Sequence, residues 1–86
     1  MIFVANIVAG RFSGEAPGFS GFNTLSPGVY EFVLDTPAEN ARWAASSPFP
    51  AAIFKIKKID ASTCRIETQL QGSPQTLAQF TVTVIT

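Results

Sequence analysis

Between Thr63 and Gln71 apolar and polar residues alternate one for one, and the alternation resumes from Gln75 to Thr86. In the second run Ala78, Phe80, Val82 and Val84 share one face, while Gln79, Thr81 and Thr83 share the other. A period of two means extended strand, because successive side chains point to opposite faces. Gly72-Ser73-Pro74 interrupts the two runs, so the pattern predicts a β-hairpin with one wet face.

The same reading extends along the chain. Ile2 to Ser13 predicts a first strand, bent or bulged at Gly10 and, through Ala9, apolar enough to be buried on both faces. Gly14 to Gly18 is a loop broken by Pro17. Phe19 to Leu25 is a weaker strand, with Phe19, Gly21, Asn23 and Leu25 on one face and Ser20, Phe22 and Thr24 on the other. Ser26-Pro27-Gly28 is a tight turn with Pro and Gly at its central positions. Val29 to Asp35 follows as a strong strand, with Tyr30, Phe32 and Leu34 sharing a face. Thr36-Pro37-Ala38-Glu39 carries a helix-start signal, with Thr36 as cap and Glu39 in capping-box position. Either a short helix runs to Ala45, or one helical turn precedes a strand from about Ala41 to Ser46. The second is favoured, since a lone helix of this length is marginal. Ser47-Pro48-Phe49-Pro50 is a stiff loop, Ala51 to Ile59 another strand, and Asp60-Ala61-Ser62 the turn into the closing runs. The prediction is one domain, residues 1–86: a small antiparallel all-β sandwich of about six to seven strands with at most one helical turn.

Composition sharpens this picture. The chain is 47% hydrophobic and only 14% charged, against about 25% charged in typical soluble domains. A body this small has much surface to cover, so some apolar surface is expected to meet other copies or a larger particle. Ile2, Val4 and Val8 are the candidate oligomer-interface residues. The balance of six acidic and six basic residues argues against nucleic-acid binding, which needs a clustered basic field. Met1 to Ala9 is too short to span a bilayer and has no basic leader, so no membrane insertion is expected. Lone Cys64 reads as a small core residue and allows no intrachain disulfide.

No catalytic, cofactor or metal site emerges. Without histidine, His-based triads and the usual zinc sites are excluded. The carboxylates Glu15, Glu31, Asp35, Glu39, Asp60 and Glu67 are scattered rather than paired across a cleft. Neither a nucleophile elbow nor a phosphate-cradling glycine loop is present, and the expectation is that the protein is not an enzyme. Trp43 and Phe49 stand apart from the other aromatics because they lie in the Pro-rich region. They either form a surface for a sugar or protein contact, with Tyr30 as a third platform residue, or cap one end of the sandwich.

The order of elements resembles a small C-terminal domain of bacteriophage tail fibres and related appendages. The resemblance rests on Gly10-Arg11-Phe12-Ser13-Gly14, on Gly28-Val29-Tyr30-Glu31-Phe32-Val33-Leu34-Asp35, and on Ile59 to Thr68. It closes on a turn at Gly72 followed by Ala78 to Val84. It implies a β-sandwich knob, three copies around an axis, acting as a virion structural protein. Its partners would be capsid or tail proteins, or a host-surface glycan. Such a fibre domain follows a long shaft, whereas this sequence opens at Met1. The expectation therefore shifts towards a stand-alone capsid decoration or cement protein, or a small knob docked on another virion protein. The alternative is a carbohydrate- or host-surface-binding β module using the loop aromatics.

Overall fold

A computed structural model describes all residues, 1–86. Its strands are β1 (Ile2–Val8), β2 (Arg11–Phe12), β3 (Phe19–Ser26), β4 (Val29–Leu34), β5 (Arg42–Ser46), β6 (Ile53–Lys58), β7 (Thr63–Leu70), β8 (Ser73–Pro74) and β9 (Gln79–Ile85). They form two antiparallel sheets. The first has the order β2-β1-β9-β5, and the second β3-β4-β7-β6 with β8 attached to β7. The all-β sandwich read from the alternation is the fold.

The sheets meet through the apolar faces that the alternation marks. Ala5 and Ile7 of β1 and Phe80, Val82 and Val84 of β9 point inward from the first sheet. Tyr30, Phe32 and Leu34 of β4 and Cys64 and Ile66 of β7 point inward from the second. Phe32 is the hub, with ring centroids 5.0 Å from Phe22, 6.2 Å from Phe19 and 6.3 Å from Phe12. Tilted and edge-on aromatic pairs of this kind add to simple area burial.

Several local expectations are corrected. Ile2–Ser13 is not one bent strand. Ala9 (φ 52°) and Gly10 (φ 78°) reverse the chain in a two-residue turn that pairs Val8 with Arg11. Positive φ at both turn positions is the hairpin geometry that suits strand twist, and Gly10 supplies half of it cheaply. Nor is β1 buried on both faces: Ala5 and Ile7 are buried, while Ile2, Val4 and Val8 face solvent. The two closing runs do not form a hairpin together. The Gln71–Gly72 turn pairs β7 only with the short β8, and the ladder ends with Gln75 N donating to the Thr68 carbonyl (3.0 Å). The chain then crosses, through buried Leu77, to the other sheet, where β9 lies between β1 and β5. Thr36–Glu39 forms no helix. Ala38 N donates to the Ala61 carbonyl (2.7 Å) and Ala41 N to that of Ala38 (3.0 Å), so the segment is a turn leading into β5. In β3, irregularities at Ser20 and Leu25 shift the register, so Phe19 and Phe22 face the same core instead of opposite sides.

One buried group is unsatisfied. The Tyr30 ring is enclosed, stacked on Phe22 at 5.5 Å, yet its hydroxyl has no hydrogen-bond partner. A buried polar group without a partner costs on the order of 1 kcal/mol or more. Tyr30→Phe should therefore raise stability by about 1 kcal/mol, read as a higher urea midpoint at unchanged slope. A fall in the midpoint would mean that the hydroxyl is bonded in solution.

Candidate functional site

The two outward faces of the sandwich differ sharply. On the second sheet Glu31 pairs with Arg65 (3.5 Å), Lys55 lies opposite Glu67, and Lys57 lies opposite Arg65. Glu67 also accepts from the Gln69 amide. This face is a charged, water-compatible surface.

The outward face of the first sheet carries almost no charge. Cross-strand partners share a face, so the register fixes its rows. Ile2 lies beside Ile85 and Arg42; Val4 beside Thr83 and Ala44; Asn6 beside Thr81 and Ser46; Val8 beside Gln79 and Arg11. The Thr81 hydroxyl donates to Asn6 Oδ1 (2.9 Å), so even the polar row is internally bonded. Ile2 is 64% exposed, Ile85 49%, Val4 45% and Val8 43%. Only Arg11 and Arg42 are charged, at diagonally opposite corners. The structure thus places Ile2, Val4 and Val8 on one surface and adds Ile85, which sequence reasoning passed over. Its signal was present: Ile85 is the one aliphatic residue on the otherwise polar side of β9.

The loop aromatics are not brought together. Trp43 points into the sandwich, 6.2 Å from Phe19 and 6.5 Å from Phe32. Tyr30 is buried. Phe49 is 41% exposed between Pro48 and Pro50, beyond the far end of β5 from Trp43. A three-ring platform is not assembled.

Asp60 and Lys58 are committed to local structure. The Asp60 carboxylate accepts from the backbone N–H groups of Ser62 (2.9 Å) and Thr63 (2.8 Å), which hold its pKa below the usual value. Lys58 Nζ donates to the carbonyls of Glu39 (2.5 Å) and Ala41 (3.2 Å), fastening the chain before β5 onto β6. No group of three or more His, Cys, Asp or Glu comes together to hold a metal. A shallow recess of about 240 Å³ is lined by Glu39, Lys58, Ile59, Asp60 and Ala61, with its Lys58 and Asp60 side chains engaged in these bonds. A second recess of about 350 Å³ is lined by Met1, Phe3, Thr36, Pro37, Ala38 and Thr86 and carries no charged side chain.

No protein-family model, curated protein or solved structure matches the chain.

Cys64 is the remaining reactive group. Burial pushes its thiol from 9.0 up to about 11. Native protein at pH 8 should leave a thiol reagent unconsumed, and unfolding in urea should release one reactive thiol per chain. The linkage runs in one direction. Below pH 9 both states keep the proton; above it the unfolded chain ionises first, so stability falls as pH rises from 9.0 to about 11. Cys64→Ala should flatten that alkaline slope, and an unchanged slope would assign it to other groups.

Proposed function

We propose that this protein is a non-catalytic structural module of a bacteriophage particle. It acts as a homotrimeric β-sandwich knob, a decoration or fibre component that works by packing. The observation carrying this reading is the outward face of the first sheet, which is free of charge except at two corners. Ile2, Val4, Val8 and Ile85 form an apolar surface beside small and Thr residues, whereas the opposite face is charged. An apolar patch on so small a body marks an interaction surface. Its only charges, Arg11 and Arg42, lie at opposite corners, where their guanidinium groups can stay in water while the apolar rows meet. The phage setting comes from the sequence resemblance, and of the three aromatics of the sugar-platform alternative Phe49 is exposed, Trp43 partly buried against the core and Tyr30 buried.

The test is the native mass across a dilution series, with co-sedimentation on phage particles as a second readout. A trimer persisting into the micromolar range is expected. Ile2→Thr with Ile85→Thr should weaken association by at least about tenfold, since each loses roughly 1 kcal/mol or more of apolar burial. A protein that stays monomeric at every concentration and never co-sediments would remove the reading.

A further inference from the structure

The sandwich has two kinds of sheet edge. In the second sheet, β6 carries Lys55, Lys57 and Lys58, and β3 has two register irregularities. Lysines and bulges are the usual defences against strand addition. The first sheet has no such protection. β1 is covered by β2 only at Ile7 and Val8, and β5 has no outer neighbour in the sheet. Ile2–Ala5 and Arg42–Ala45 contain no Pro, Gly, Lys or bulge.

The hydrogen-bond phase shows which groups are free. Met1 and Thr86 exchange main-chain bonds (Met1 N to Thr86 O 3.1 Å, Thr86 N to Met1 O 2.9 Å). Alternation then directs Phe3, Ala5 and Ile7 towards β9, and Ile2, Val4 and Asn6 away from it. Ser13 N donating to the Asn6 carbonyl (2.8 Å) agrees with this phase. On the other side of β9, Arg42, Ala44 and Ser46 bond inward, so Trp43 and Ala45 present N–H and C=O outward. Within one copy the outward main-chain groups of Ile2, Val4, Trp43 and Ala45 have no strand partner.

These two edges fit one another. β1 and β5 are each antiparallel to β9 and so run in the same direction. They also lie at the same level: Ile2 and Arg42 both oppose Ile85, and Ala5 and Ala45 both oppose Val82. Rotation about an axis along the strands preserves direction and level, which is what a head-to-tail contact must satisfy to close as a ring. The ends dovetail as well. β5 stops at Ser46, level with Asn6, and β2 occupies the β1 edge only beyond that level.

Resting on the trimer reading above, we infer that the copies join edge to edge, the free edge of β1 in one copy pairing in parallel with the free edge of β5 in the next. The closed ring leaves no open edge in the first sheet. It turns Ile2, Val4, Val8 and Ile85 towards the axis, covering the apolar face in the same step.

Val4→Pro and Ala45→Pro test this, because each removes one outward N–H and leaves the bonds to β9 intact. Each variant alone should lose the trimer. Mixed, they should form a one-to-one heterodimer, the intact β5 edge of Val4→Pro pairing with the intact β1 edge of Ala45→Pro. Circular dichroism confirms that both fold. Should either fail to fold, hydrogen exchange on the unmodified protein decides. The Val4 and Ala45 amides should exchange at least about 100-fold more slowly in the trimer than on dilution to monomer. Ala45→Pro that still self-associates while Val4→Pro does not would overturn the ring in favour of β1–β1 pairing. A trimer with fast-exchanging Val4 and Ala45 amides would also overturn it while leaving face packing in place. A wild-type protein that is monomeric throughout would overturn the ring, and one that also never co-sediments with particles would remove the reading it rests on.

Discussion

Phe32→Ala should leave a large share of the molecules unfolded at 25 °C. Phe32 is fully buried on β4, and its ring lies within 6.5 Å, centroid to centroid, of Phe12, Phe19, Phe22 and Trp43. Those four come from β2 and β5 of the first sheet and β3 of the second, so the ring is the common neighbour of otherwise separate strands. Truncating a buried Phe to Ala costs about 3–5 kcal/mol, the upper values applying where neighbours cannot collapse into the space. Here the neighbours are rings held on paired strands. A domain of this size has roughly 4–13 kcal/mol in total. The measurement is urea unfolding followed by Trp43 fluorescence. A midpoint lowered by more than half is expected; a loss below about 1 kcal/mol would show that the aromatic cluster repacks freely. Val33→Ala is the comparison, since Val33 lies on the same strand, is only half-buried and faces outward.

Gly28→Ala is expected to cost about 3 kcal/mol or more, a large effect for one methyl group. Two causes add. Gly28 sits at φ +82°, where a side chain costs roughly 1–2 kcal/mol. A Cβ there would also lie 2.6 Å from the main-chain N of Gln75 and 2.7 Å from its carbonyl oxygen. That backbone is held in place. Gln75 N donates to the Thr68 carbonyl (3.0 Å), Thr68 N donates to the Gly28 carbonyl (2.7 Å), and the Thr68 hydroxyl lies 2.6 Å from the Gln75 carbonyl. The β3–β4 turn, β7 and the crossover to β9 are locked at this point. Gly72→Ala separates the two causes: its φ is +80°, but nothing lies within 4 Å of the added carbon. It should cost only the conformational part, about 1 kcal/mol. Equal losses in the two variants would mean that the Gln75 segment yields to the added methyl.

Much of the core was legible from alternation. Tyr30, Phe32 and Leu34, and Phe80, Val82 and Val84, were placed on common faces by period two, and they are the buried residues of β4 and β9. The Ser26–Gly28 turn was legible because Pro27 and Gly28 suit its two central positions. Where alternation failed, a backbone irregularity or a solvent boundary was the cause. Phe19 and Phe22 differ by an odd number of positions and yet share a face because a bulge at Ser20 shifts the phase. β1 reads as doubly buried because its outward residues are apolar, and nothing local distinguishes an apolar residue facing a core from one facing solvent. The candidate surface was half visible: Ile2, Val4 and Val8 were named, while Ile85 joined them only through the β1–β9 register.

The amino-acid sequence by itself determined that the chain is all-β, that Pro27-Gly28 turns it, which residues of β4 and β9 face a core, and that no histidine-based chemistry is available. Only the tertiary structure decided that β7 and β9 belong to different sheets, that β9 is central between β1 and β5, and that the first sheet leaves two level edges open. The reason lies in what each signal is made of. Side-chain alternation is local and specific to each residue, so it can be read along the chain. Strand partnership is made by N–H and C=O groups that nearly every residue carries alike, so partners are chosen by packing between segments distant in sequence.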